Sequence, residues 1–355
     1  MTIVVGILAF ILLIFTVVGV HELGHFSAAR LFGIRVEEFG FGFPPRIWGR
    51  RRGQTLYSIN AIPLGGFVRM SGENGEIEGP WSFGAKPAWQ RAIVLCAGAF
   101  MNIVLALVLF FIVFTIAPVP QPQPQVLQVM PHSPATAVLR VGDVITAVNG
   151  YDITWDMLNV NSDTGDWLGC YAGQPTVLTI ERDGQTIRRT VVPRLHPPSG
   201  QGRVGFRWTA TWSRYDGLGA LSQTSSQPGD FFGGIGNLIS PPAQPICVPQ
   251  TSVGVTGPVG IAQVTSDTAN AVPQLGAGPV LYLAAVISMN LGFVNLIPFP
   301  ALDGGRLLFV LIGVARRRRI DPRREGLIHL IGMAVLLSFI FVVTGHDIAN
   351  WLNGK

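Results

Sequence analysis

Charge is what this 355-residue sequence lacks most. Asp, Glu, Lys and Arg make up 13% of it, against about 25% in soluble domains. The gaps are continuous: residues 3–20, 92–139, 231–266, 268–302 and 326–346 hold none of the four. With 48% hydrophobic residues, this excludes a disordered chain and an ordinary soluble enzyme. A spanning helix needs about 20 mainly apolar residues, so the pattern is that of a polytopic membrane protein. Cysteine is scarce as well. Three cysteines cannot build a disulfide framework, and no Cys-x-x-Cys offers a thiolate zinc site. Cys96 falls in an apolar block and reads as packing. Cys170 and Cys247 fall in polar segments on the extracytoplasmic side, where they could pair.

The net charge of +5 does not point to nucleic acid, because no RNA- or DNA-binding motif accompanies the basic runs. Arg46, Arg50, Arg51 and Arg52 lie between the first and second apolar blocks. Arg316 to Arg319, Arg323 and Arg324 lie between the third and fourth. Short basic loops stay in the cytoplasm, and both clusters give one topology, with the stretch between spans two and three outside.

The expected spans are residues 3–25, 91–116, a third from about Val280, and 326–344. The first has no basic residues ahead of it and no small-residue cleavage site after it, so it reads as a retained helix rather than a signal peptide. Residues 34–70, rich in Ile, Val, Phe and Tyr with Gly and Pro between, read as short strands in a membrane-associated β-hairpin. Open sheet edges cannot face lipid, so this element lies at the surface or dips in beside protein or water. PVPQPQPQ (118–125) reads as a stiff, extended linker. Residues 126–194 have strand composition with turns at Asn149-Gly150 and Asp183-Gly184, which suits one small β-rich domain. Residues 196–278 read as surface or interfacial structure. The expected division is 1–117, 118–195, 196–278 and 279–355.

His21-Glu22-Leu23-Gly24-His25 is an H-E-x-x-H motif. Four residues apart on a helix, two imidazoles share one face and can take adjacent corners of a tetrahedral zinc. Glu22 is one step away and can take a proton from a water on the metal. A charged residue at mid-bilayer costs about 2.5–3.5 kcal/mol on insertion scales, so an intramembrane Glu is a functional candidate. A catalytic zinc needs a third protein ligand. Asp303 is the strongest candidate, in Asn295-Leu-Ile-Pro-Phe-Pro-Ala-Leu-Asp303-Gly304-Gly305. Pro298 and Pro300 remove backbone donors, the glycines permit close approach, and broken helix at membrane depth is tolerated only inside protein or beside a wet cavity.

Together HELGH and NLIPFPALDGG resemble the site-2 protease family of intramembrane zinc metalloproteases, in its regulator-of-sigma-E protease branch. GFGFPPRIW and INAIPLGGFVRM resemble that branch's β-hairpin region. KPAWQRAIVLCAGAFMN resembles its second-span entry, with Ala99 where the family usually has Pro. SPATAVLRVGDVITAVNG resembles the core of a PDZ domain, and GPVGIA the segment before the third span. The resemblance implies four transmembrane helices and one PDZ-like extracytoplasmic domain, in the inner membrane of a bacterium with the active site towards the cytoplasm. His21, His25 and Asp303 would bind Zn2+, and Glu22 would activate water. Asn290 and Asn295 match positions that hold the unwound substrate backbone. Gly65 and Gly66 lie in a hairpin that could pair with the substrate by strand addition. Substrates would be single-pass membrane proteins, of the anti-sigma-factor or remnant-signal-peptide type. The PDZ-like unit could act as a size filter, or take a peptide ligand at a trimmed end. His132, His196, His329 and His346 have no ligand-like spacing and read as ordinary polar residues.

Two rival classes fit less of the sequence. A metal transporter also buries His and Asp in broken helices, but has no need of Glu22 within H-E-x-x-H or of a PDZ-like unit. A catalytically idle scaffold would be free to lose a ligand, and the set is complete.

Overall fold

The computed structural model describes residues 2–73, 79–116, 119–153, 168, 171–198, 201–213, 215–239, 257–270, 272, 277–317 and 320–352. Cys170 and Cys247, the two cysteines open to pairing, lie outside the described residues. The chain divides into two compact units, Met1–Val113 with Val255–Lys355, and Phe114–Gly254. In chain order the elements begin with α1 (Thr2–Leu31), β1 (Val36–Arg52), β2 (Thr55–Met70) and α2 (Ala88–Ile116). There follow β3 (Val119–Val129), β4 (Val144–Val148), β5 (Tyr151–Asp152), β6 (Thr176–Arg182), β7 (Gln185–Val191), β8 (Phe206–Ser213) and α3 (Gly217–Ile239). The chain ends with α4 (Pro258–Asn270), α5 (Gly278–Leu296), α6 (Asp303–Ala315) and α7 (Pro322–Leu352).

Among the described residues, four helical stretches are long and apolar enough to cross a membrane: Gly6–Leu31, Ala88–Ile116, Gly278–Leu296 and Arg323–Ala349. The first and last outrun the expected 3–25 and 326–344, because a helix continues past the apolar residues that mark the span. α1 is closed off by Gly33, two residues past its end, whose φ of +65° is the left-handed conformation that glycine adopts without penalty. Ile34 N–H donates to Ala29 O at 2.8 Å and Gly33 N–H to Arg30 O at 3.1 Å, the Schellman pattern. This turn sends Ile34 and Val36, 2% and 1% exposed, back into the core.

β1 and β2 are longer than the short strands expected, and they pair antiparallel over nearly their whole length. Both bend in the middle. Arg46–Arg52 faces Thr55–Asn60, while Phe39 stands between Val68 on one side and Tyr57 on the other. Gly66–Met70 therefore forms one rim of the element, and no third strand pairs with it among the described residues. The hairpin packs along α1 through aromatic side chains. Phe41 stacks on Phe15 at 4.4 Å between ring centroids, and Phe39 meets Phe26 edge-on at 5.3 Å. Phe15 lies in the middle of the candidate span Gly6–Leu31, so the hairpin lies alongside that stretch of α1. Its buried polar groups are satisfied: Ser58 donates to Glu38 at 2.7 Å and Asn60 to Gly42 O at 3.0 Å. Ala28, Ala29, Ile34, Val36, Phe39, Val68, Val94, Leu95 and Val310 make one core from α1, the hairpin, α2 and α6.

In this unit α4 packs on α1. A Cβ on Gly6 would fall 2.2 Å from Ser266 Oγ, so the two helices approach closely there. Gly260 N–H, in the first turn of α4, donates to Asp347 Oδ2 of α7 at 3.0 Å.

The second unit is built on an antiparallel sheet in the order β7-β6-β4-β3-β8, with β5 paired to β4. The turns at Asn149-Gly150 and Asp183-Gly184 have positive φ at both residues (50° and 85°, 50° and 74°), the conformation that two-residue hairpins require. Val126, Ile145, Val148, Leu178, Ile180, Val191 and Phe206 form the core. The sheet takes in two stretches that the sequence reading leaves outside it. Residues 119–125 of PVPQPQPQ lie in β3, with Val119 opposite Ser213 and Val129 opposite Phe206 in β8. Extended backbone is what alternating prolines favour. The missing Pro donors are tolerated because the ladder skips register between Gln121 and Pro124, and only Gln125 pairs with β4.

Candidate metal centre

His21 and His25 lie one turn apart on α1, 7% and 6% exposed, with ring planes at 79°. Asp303 reaches them from the start of α6, beyond the end of the span Gly278–Leu296. α5 ends at Leu296 and the chain turns through Ile297–Leu302 before α6 begins. Pro298 and Pro300 cannot continue a helix. Phe299 N–H donates to Ile297 O at 2.7 Å and Leu302 N–H to Phe299 O at 3.1 Å. The two glycines after Asp303 let this turn fold over the start of α6. A Cβ on Gly304 would fall 2.3 Å from Ile297 O, and one on Gly305 2.3 Å from Phe299 O.

Three ligand atoms meet. Asp303 Oδ2 is 3.1 Å from His21 Nε2 and 3.2 Å from His25 Nε2, and the two Nε2 atoms are 3.2 Å apart. Ligands at the usual 2.0–2.1 Å from a tetrahedral zinc stand roughly 3.3–3.4 Å from one another. The triangle is thus close to one face of such a tetrahedron. Among the described residues it is the one cluster of three His, Cys, Asp or Glu side chains whose ligand atoms converge in this way. Cys96 on α2 is half-buried and outside the cluster.

α2 shapes the space in front of these atoms. A Cβ on Gly98 would lie 2.3 Å from His25 Nε2 and 2.8 Å from His21 Nε2, so any other residue would crowd both histidines. One turn earlier, Val94 O lies 2.8 Å from His25 Nδ1. A carbonyl only accepts, so His25 carries a hydrogen on Nδ1, which leaves Nε2 as the lone-pair nitrogen of its neutral form. One turn later, the carboxamide of Asn102 lies 3.3 Å from His21 Nδ1. Close approach of α1 and α2 is possible because Gly24 has no side chain: a Cβ there would fall 2.3 Å from Ala97 O. Ala99, in the family's Pro position, is fully buried.

Glu22 is half-buried, beside the triangle rather than in it. The strand β2 touches it, since a Cβ on Gly66 would lie 2.9 Å from Glu22 Cγ. Gly65 has a φ of +96°, and the register skips from Phe41–Gly66 to Phe43–Ile62 around it. Asn295 is half-buried near the end of α5, and Asn290 is exposed. α5 is docked on α2 by Gly292 against Ala99 O and by Ser288 Oγ donating to Asn102 O at 2.8 Å.

The sequence reading assigns no role to Gly98, Asn102 or His329. His329 on α7 accepts the Ala301 N–H on Nδ1 at 3.0 Å, two residues ahead of Asp303. Asn102 had a signal, as a carboxamide inside a charge-free span four residues after a glycine.

A family model for peptidase family M50 matches residues 9–339. A Clostridium perfringens protein with a zinc metalloprotease name is 34% identical over 352 residues, covering 98% of both chains. Zinc metalloprotease RasP of Geobacillus kaustophilus is 29% identical, covering 98% of both. Regulator of sigma-W protease RasP of Bacillus subtilis is 27% identical, covering 96% of this chain and 98% of its own. With its membrane-type helices and its H-E-x-x-H motif converging on a distant aspartate, the chain belongs to peptidase family M50, the site-2 protease family that its motifs resemble.

Proposed function

We propose that this metallopeptidase uses zinc to hydrolyse a peptide bond within or near the membrane-spanning segment of single-pass membrane proteins. The observation that carries the reading is the triangle of His21 Nε2, His25 Nε2 and Asp303 Oδ2, with Gly98 leaving room beside it. Its donors, two imidazoles and a carboxylate, are a catalytic zinc set that leaves the fourth position open. Zinc bound there supplies Lewis acidity and makes a water acidic near neutral pH. Glu22 takes the proton of the attacking water as its oxygen bonds to the scissile carbonyl carbon. It then passes that proton to the amide nitrogen as the C–N bond breaks.

A spanning helix hides its carbonyls in its own hydrogen bonds, so substrate has to unwind before it reacts. The rim Gly66–Met70 offers a strand edge, and Gly66 touches Glu22, so an added strand would run past the general base. Gly65 bends that rim, and Asn290 and Asn295 would hold the backbone of the extended segment by donating and accepting. The β-rich second unit is PDZ-like and serves as an extracytoplasmic filter or peptide sensor. The enzyme sits in the bacterial inner membrane with its basic loops in the cytoplasm. The name of the Bacillus subtilis relative connects that protein with sigma-W, which supports substrates of the anti-sigma-factor type, alongside remnant signal peptides.

The test is cleavage of a tagged single-span peptide with helix-breaking residues in its span, in liposomes. Wild type should cut it, a zinc chelator should stop the reaction, and Glu22→Gln should bind zinc without cutting. Proteolysis retained by zinc-loaded Glu22→Gln would overturn the role of Glu22. Full zinc occupancy in Asp303→Ala would remove Asp303 from the ligand set.

A further inference from the structure

We propose that Asn102 is a positioning residue for His21: its carboxamide oxygen accepts the Nδ1 hydrogen and so keeps a lone pair on Nε2, facing His25 and Asp303. The inference rests on the zinc reading given above and extends it to the opposite side of the imidazole. Asn102 is fully buried. Its carboxamide nitrogen lies 3.3 Å from His21 Nδ1, and its buried Oδ1 has no hydrogen-bond partner among the described residues. Carboxamide oxygen and nitrogen have nearly the same shape, so the chemistry of the neighbours decides their assignment.

Two considerations put the oxygen towards His21. A carboxamide N–H donated to Nδ1 would force the imidazole hydrogen onto Nε2, and a protonated Nε2 cannot ligate a metal. The neighbouring histidine supplies the second. His25 Nδ1 meets Val94 O, an atom that only accepts, at 2.8 Å. Val94, Gly98 and Asn102 follow one another at four-residue spacing, which is one face of α2. That face thus presents an acceptor to His25, a gap in front of both Nε2 atoms, and a second acceptor to His21. The two imidazoles are oriented by the same device from the same helix. Outer partners of this kind fix ring orientation and tautomer in metal sites.

The experiment is zinc affinity, by competition with a chromogenic chelator, on the full-length protein in detergent. Asn102→Leu keeps the shape and loses the acceptor. Asn102→Asp keeps an acceptor and cannot donate. Asn102→Leu should bind zinc about 10–100-fold more weakly, while Asn102→Asp should stay within a few-fold of wild type or bind more tightly. If Asn102 only fills space, the order reverses, with leucine tolerated and a buried carboxylate harmful, and the inference is overturned. Should Asn102→Leu fail to fold, Asn102→Asp decides alone: retained affinity upholds the acceptor and loss removes it. Wild-type protein that binds no zinc would sink the metal reading and this inference with it. Wild-type binding beside undiminished binding by Asn102→Leu sinks the inference only.

Discussion

Gly98 stands against His25 so closely that the smallest side chain would reach the nitrogen proposed to face the metal: a Cβ on Gly98 would lie 2.3 Å from His25 Nε2. Backbone atoms of α2 cannot retreat without unpacking the core they share with α1, so the imidazoles would have to move. Gly98→Ala should therefore lower zinc affinity by about tenfold or more, the scale of a disturbed metal shell, while the protein stays folded. Zinc content after purification, read beside the thermal transition, checks it. Full zinc with normal turnover would mean that the histidines have another place to go.

Gly66 makes the corresponding contact on the other side of the motif. Its missing side chain leaves room for Glu22 Cγ, at 2.9 Å from the position of a Cβ, and for Val18 at 3.2 Å. Gly66→Val should push Glu22 away from the triangle without touching a ligand. The expected result is normal zinc content with kcat reduced about 10²-fold, as for a displaced general base. Equal loss of zinc and activity would show that the strand supports the whole site instead.

Much of this arrangement could be read from the sequence, and the limits of the reading have physical causes. Four of the five charge-free blocks become α1, α2, α5 and α7, and they are visible because hydrocarbon leaves no room for charge. HELGH is visible because its spacing is the pitch of a helix, and Asp303 because Pro298, Pro300 and two glycines mark a broken helix. The length of β1 and β2 is hidden, since Gly42, Pro44 and Pro45 look like strand ends while the chain bends there and goes on pairing. The Pro-Gln tract is hidden for the converse reason: its composition is that of a linker, and only its partner β8 makes it a strand. Gly98 and Asn102 acquire their meaning from atoms of α1, which no reading of α2 alone supplies.

In the second unit, Asp143 and Arg182 form a pair that makes acid stability measurable. Asp143 is 1% exposed. Its carboxylate accepts from Arg182 Nε and Nη2, both at 2.7 Å, and from the Arg140 N–H at 2.8 Å. Burial alone would push the Asp143 pKa up, but the hydrogen bonds and positive charge of Arg182, with the Arg140 N–H, outweigh it and hold the value below the ordinary one. A depressed folded value stabilises the fold above the unfolded pKa of about 3.9 and ceases to as pH falls through the lower folded value. Protection of the β4 and β6 amides in hydrogen exchange should thus be level from pH 7 to about pH 5 and fall below about pH 4. Asp143→Asn should lose about 3 kcal/mol at neutral pH, because it leaves the Arg182 charge unpaired, and should flatten the acid dependence. Unchanged protection in that variant would show that the pair is dispensable.

Asp347 has a different task, at the start of α4. Its Oδ2 accepts the Gly260 N–H at 3.0 Å, one of the donors that every helix N-terminus leaves without an internal partner. The helix that it secures lies against α1, where Gly6 meets Ser266. Asp347→Ala should cost about 1 kcal/mol, as loss of a capping acceptor does, with Asp347→Asn close to wild type. Thermal unfolding in detergent with zinc bound reads the difference.

Ala301 carries the last of these relationships, because its backbone is held in a conformation it would not choose. Its φ is +82°, a region that costs a residue with a Cβ about 1–2 kcal/mol. His329 Nδ1 accepts the Ala301 N–H at 3.0 Å, and Gly332 on the same helix leaves room for Pro300, whose carbonyl oxygen would lie 2.6 Å from a Cβ there. α7 thus fixes the turn that delivers Asp303. His329→Phe should preserve the edge contact with Phe309, now 5.4 Å between ring centroids, and remove the acceptor. The turn would then be free to relax, and zinc affinity should fall several-fold although no ligand has changed. Ala301→Gly removes the conformational cost at its source. Combined with His329→Phe, it should recover most of the lost affinity, and alone it should leave zinc binding intact. Recovery in the double variant would locate the effect in the backbone of the turn. No recovery would mean that His329 acts through its packing on α6.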